Sequence, residues 1–102
     1  MYLVQLFLPL RDNRNKPFPR AMFVAVRSGL AEAFGGVTAY QHAPATGLWE
    51  DGSDEVRRDE LVLFEVMVPT LDRAWWKTYA AALAERFRQE QVLLRALPCE
   101  WL

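Results

Sequence analysis

The sequence holds little of what the commonest kinds of site are built from. One cysteine, Cys99, occurs in 102 residues, so an intrachain disulfide and a cysteine-based zinc site are both excluded. One histidine, His42, accompanies it, and the pair is too small a donor set for a dedicated transition-metal site. Basic charge is not in excess either. Twelve Lys and Arg face 13 Asp and Glu, for a net charge of −1 and a pI of about 5.8. General nucleic-acid binders carry a basic surplus, so that class is set aside. Only five glycines occur, and none forms a glycine-rich phosphate loop. The apolar run at residues 1–10 is about half as long as the ~20 residues a spanning helix needs. It has no basic leader and no small-residue cleavage site, so the expectation is a cytoplasmic protein with no membrane partner.

What remains suits one folded domain over residues 1–102. The chain is 52% hydrophobic and 25% charged, near the globular average, with six Phe and four Trp for its core. Residues 2–8 alternate as a strand, with Val4, Leu6 and Leu8 on one side and Leu3, Gln5 and Phe7 on the other. Residues 10–18 read as a polar loop. Pro19 then suits a helix start, and Phe23, Val26, Leu30 and Phe34 follow at helical spacing until Gly35-Gly36. Residues 37–42 read as a second strand, and Asp51-Gly52 as a hairpin turn. Residues 60–68 form the clearest strand, apolar on both sides from Leu61 onward except for Glu65. Thr70 is the expected N-cap of a helix over 71–88 carrying Trp76, Tyr79, Leu83 and Phe87 inward, with Trp75 and Ala82 widening the stripe. Residues 91–96 make a fourth strand, and the last two apolar residues, Trp101 and Leu102, are expected to dock on the domain.

The order β-α-β-β-α-β predicts two split βαβ halves: an α+β domain with an antiparallel sheet of order 4-1-3-2 and both helices on one face. A three-layer arrangement with the tail as a fifth strand is the alternative. The open face then carries Leu3, Gln5 and Phe7; Thr38, Tyr40 and His42; Leu61, Leu63, Glu65 and Met67; and Leu93 and Arg95. Across the sheet its polar members fall in one row: Arg95, Gln5, Glu65, then Thr38 or Tyr40. So apolar a face calls for a cover, and a homodimer through it would leave the row buried or lining a cavity. Glu65 and Arg95 can persist there as an ion pair bridged by Gln5.

Glu65 and His42 are the candidate catalytic groups, since a carboxylate in an apolar strand and a lone histidine are both able to move protons near neutral pH. The plainer readings are a structural ion pair and a hydrogen-bonded histidine at a strand end. Tyr40, Arg95, Gln5 and Thr38 are the candidate ligand-binding residues. Arg11, Arg14, Lys16 and Arg20 cluster ahead of a helix N-terminus and suit an anion, or simply a solvated loop. Cys99 reads as a packed thiol.

Leu8-Pro-Leu-Arg-Asp-Asn13, Phe34-Gly-Gly-Val-Thr-Ala39, Gly47-Leu-Trp49, Phe64-Glu-Val-Met67 and Trp75-Trp-Lys-Thr-Tyr79 together resemble a group of short uncharacterised bacterial proteins. The resemblance spans nearly the whole chain and implies a ferredoxin-like α+β domain with no assigned reaction. The architecture is also similar to dimeric α+β barrels, which include small monooxygenases, isomerases and ligand sensors, an analogy of fold alone. Three functions follow as expectations. The first is a homodimeric small-ligand-binding or accessory protein using the open face, with no cofactor. The second is a cofactor-independent enzyme on a small organic substrate, and the third is a structural interaction module.

Overall fold

The computed structural model describes residues 1–48 and 56–102, and for 40–48 and 56–60 the backbone course alone. Four strands and two helices follow in the order β1 (Tyr2–Pro9), α1 (Arg20–Phe34), β2 (Thr38–Leu48), β3 (Val56–Val68), α2 (Arg73–Arg86) and β4 (Leu93–Pro98). The strands form one antiparallel sheet of order β2-β3-β1-β4, the expected 4-1-3-2 read from the other edge. The Asp51-Gly52 turn lies outside the described residues.

Alternation along β1 and β3 decides which face is buried. Val4, Leu6 and Leu8 pair with Val66, Phe64 and Val62, and all six are buried. They share one core with Phe23, Val26 and Leu30 of α1, Trp76 and Leu83 of α2 and Phe87 at the α2 C-cap, which puts both helices on that face. Helix α1 ends at Gly35, whose φ of 78° lets its N–H reach back to the Ala31 carbonyl at 2.7 Å.

Helix α2 departs from the sequence reading at its start and on its flank. Asp72, not Thr70, is the cap: its carboxylate accepts the Trp75 N–H at 3.1 Å, and the helix begins at Arg73. Its buried face is Trp76, Leu83, Ala84 and Phe87, with Ala80 partly buried, while Trp75 and Ala82 are exposed. Steps of 3.6 residues from Trp76 lead to 80, 83, 84 and 87, so 75 and 82 fall off the stripe. Strand β4 begins at Leu93 and runs on to Pro98, and no fifth strand appears among the described residues. Trp101 and Leu102 are exposed, against the expectation that they dock.

The loop at 10–18 holds a second surprise. It is a closed hairpin, with the Asp12 N–H on the Lys16 carbonyl at 2.8 Å and the Phe18 N–H on the Leu10 carbonyl at 3.0 Å. The Asp12 carboxylate accepts the Arg14 and Lys16 N–H groups, each at 2.8 Å, and Asn15 takes a left-handed φ of 63°. This closure delivers Phe18 into the core, where its ring meets Phe87 edge-on at 5.1 Å.

Candidate functional site

The face turned away from the helices is the one the sequence left uncovered, and among the described residues nothing covers it. Leu3, Phe7, Leu61, Leu63 and Met67 are half-buried there, and on β4 Leu93 and Leu97 are 58% and 41% exposed. The polar row crosses it in the expected register. Gln5 of β1 is opposite Arg95 of β4 on one side and Glu65 of β3 on the other, and Glu65 is opposite Thr38 of β2.

The side chains of the first three form a relay of hydrogen bonds. Arg95 donates Nε to the Gln5 Oε1 at 2.6 Å, and Gln5 donates Nε2 to the Glu65 Oε2 at 2.8 Å. The two charges therefore meet through the amide instead of touching each other. The partners fix the amide's orientation, because guanidinium only donates and carboxylate only accepts. The Arg95 guanidinium also lies over the Phe7 ring, 5.0 Å from its centroid. Gln5 and Glu65 are half-buried, whereas Arg95 and Thr38 are exposed.

Tyr40 and His42 belong to β2, but their side chains lie outside the described residues. The backbone register bears on His42 all the same. Tyr40 is opposite Leu63 and Ala43 opposite Leu61, so β2 carries one residue too many between them. This bulge resets the alternation, and a face for His42 no longer follows by counting from Thr38.

Two depressions adjoin the end of β1. One, of about 610 Å³, is lined by residues including Phe7, Leu61, Leu93, Asn13, Gln89 and Gln91, and by none of Gln5, Glu65 or Arg95. The other, of about 440 Å³, is lined by Asp12, Asn13, Arg14, Lys16 and Arg88. Arg88 joins the basic loop from the end of α2, a meeting no local sequence signal announces, while Arg20 opens α1 and lines neither depression. The backbone hydrogen bond from Lys16 holds the Asp12 carboxyl below its ordinary range, aided by the Arg14 N–H and by the charges of Arg88 and Lys16, against desolvation. Burial pushes the Tyr79 phenol up. Cys99 is a free, half-buried thiol. Among the described residues no three His, Cys, Asp or Glu side chains gather as a metal site, and no helix is long and apolar enough to cross a membrane.

No protein-family model matches the sequence, and no curated protein sequence does either. Solved structures do share the fold. A phage SAM lyase in complex with S-methyl-5'-thioadenosine is 16% identical with a TM-score of 0.54, over 94% of this chain and 79% of the other. A phage SAM lyase in the apo state is 13% identical with a TM-score of 0.55, over 99% and 91%. This chain is thus similar in fold to a small α+β enzyme, and at such identity the likeness is one of fold.

Proposed function

We propose that this is a ferredoxin-like homodimeric protein of the cytoplasm that binds a small organic ligand between paired open sheet faces. The observation that carries the reading is the Arg95–Gln5–Glu65 relay across an otherwise apolar face that no described residue covers. Neighbouring strands are spaced about 4.8 Å apart, so the two charges sit symmetrically on either side of Gln5. A two-fold axis between two stacked sheets, along the strands and above Gln5, would bring Arg95 of each copy over Glu65 of the other. A two-fold interface needs such self-complementarity. Ligand contacts then fall to Gln5, Arg95, Thr38 and Tyr40 around the apolar side chains.

A cofactor-independent enzyme is the second reading, favoured by Glu65. Its carboxylate is half-buried on the open face and held by one hydrogen bond from Gln5, an arrangement that suits a base. His42 is the other candidate base.

Sedimentation velocity at micromolar concentration tests the pairing. The wild type is expected to be dimeric. Glu65→Arg or Arg95→Glu alone should weaken association by at least about a hundredfold, since breaking one partner of a buried ion pair costs about 3–5 kcal/mol. The double exchange should restore it. A monomeric wild type, or single reversals that leave the dimer intact, would overturn the pairing. S-methyl-5'-thioadenosine, the compound held by the phage enzyme of similar fold, is the first probe for calorimetric titration. Turnover lost in Glu65→Gln with binding retained would favour the enzyme.

A further inference from the structure

The two depressions at the end of β1 share Asp12 and Asn13 as a common wall, and their linings differ in kind. The larger combines the apolar Phe7, Leu61 and Leu93 with the amides of Gln89 and Gln91. The smaller gathers Arg14, Lys16 and Arg88 around one carboxylate. That is a local surplus of two positive charges, three cations less Asp12, in a chain whose net charge is −1. Asp12 is itself occupied, with one oxygen accepting two backbone N–H groups of its own loop. The cations come from two separate segments, each with a defined backbone: the closed hairpin supplies Arg14 and Lys16, and Arg88 follows α2 in a left-handed turn at φ 51°.

We propose that this double depression binds a phosphate monoester of a sugar that bears a flat ring, a nucleoside monophosphate in size. The phosphate lies against Arg14, Lys16 and Arg88, and the ring against Phe7, Leu61 and Leu93. A phosphate monoester carries about −1.5 to −2 charge at neutral pH, which matches the surplus of the smaller depression. The guanidinium groups offer forked donors to its oxygens, and Lys16 adds a point charge. Gln89 and Gln91 offer both donors and acceptors to a ring edge. The larger depression falls within the roughly 300–1,000 Å³ common for small-molecule sites. A nucleic-acid strand would call for a basic track along the surface, whereas the larger depression adds only Arg11 to these three cations and the chain's net charge is −1. Phe7, Leu61 and Leu93 also belong to the open face, so the ring end borders the pairing proposed above, whereas the phosphate end lies on the hairpin loop and Arg88.

Titration of the full chain with adenosine 5'-monophosphate and with adenosine, followed by 1H–15N NMR, tests the assignment. The monophosphate should shift the amides of Asn13, Arg14, Lys16, Arg88 and Leu93 saturably, and adenosine should bind at least about tenfold more weakly. Added salt should weaken the monophosphate alone. The double variant Lys16→Gln/Arg88→Gln alters two exposed side chains, and an unchanged thermal midpoint verifies that it folds. It should lose about tenfold or more for the monophosphate and nothing for adenosine. Equal affinity for the two ligands, a titration that does not saturate, shifts centred elsewhere, or an unaffected double variant would each overturn the proposal. Glu65→Arg, which should dissociate the pairing, should still show the saturable shifts at Asn13, Arg14, Lys16 and Arg88, which separates the fate of this site from that of the dimer.

Discussion

Phe18 offers a sharp quantitative test of how this fold is held together, because its sequence neighbourhood and its structural position disagree. It stands among Arg, Asn, Lys and Pro, yet it is 6% exposed and packs edge-on against Phe87 at 5.1 Å. Phe87 is fully buried and also meets Phe23 at 5.4 Å, so Phe18 closes a three-ring cluster between the hairpin loop and both helices. Truncating a buried phenylalanine to alanine costs about 3–5 kcal/mol. Of this, roughly 0.5–1.5 kcal/mol belongs to the ring pair and should appear as coupling in a Phe18→Ala/Phe87→Ala cycle. Domains have only about 5–15 kcal/mol in all, so the single change should remove a large share of it. At roughly 4–8 °C per kcal/mol for a domain of this size, the thermal midpoint should fall by at least about 12 °C. Urea denaturation gives the free energy directly. A loss below about 1 kcal/mol for Phe18→Ala, the range of ordinary surface changes, would refute the claim that the loop is anchored by its ring.

Two further outcomes follow from the loop and the caps. Asp72→Ala should destabilise the domain by about 1 kcal/mol, while Thr70→Ala should have little effect; equal losses would remove Asp72 from the cap role. The lowered Asp12 midpoint means that its ionised form favours the closed hairpin, so this contribution is complete above the unfolded carboxylate's midpoint and is lost as pH falls through the lowered one. Hydrogen exchange at the Arg14 and Lys16 amides, corrected for intrinsic rates, should therefore lose protection on acidification, and Asp12→Asn should lack that dependence.

The layout of the sheet was readable because alternation is a strict code. Apolar parity in residues 2–8 and 60–68 named the buried face, and the order of elements named the strand neighbours. Together they put Arg95, Gln5, Glu65 and Thr38 in the one row the structure shows. The code fails where its period is interrupted. The extra residue between Tyr40 and Ala43 breaks parity just where His42 had been assigned a face. Phe18 was invisible because a lone aromatic in a polar loop has no period to mark its side. Thr70 and Asp72 both resemble caps, and only the backbone path decides between them. Arg88 reaches the basic loop from a distant part of the chain, through tertiary packing that no local pattern encodes.

Among the described residues strand β4 is an edge, six residues long, and its outer side leaves backbone N–H and C=O groups without a strand partner. Such an edge can template the addition of another chain, and proteins discourage this with short strands, prolines and charge. Here the run Leu93-Leu-Arg-Ala-Leu97 is interrupted by one charge and followed by Pro98. Replacing Arg95 with an apolar residue would do more than shorten the polar row. It would leave an uninterrupted sticky ribbon along the border of the sheet. One guanidinium thus both terminates the relay and breaks the apolar run along the sheet's border.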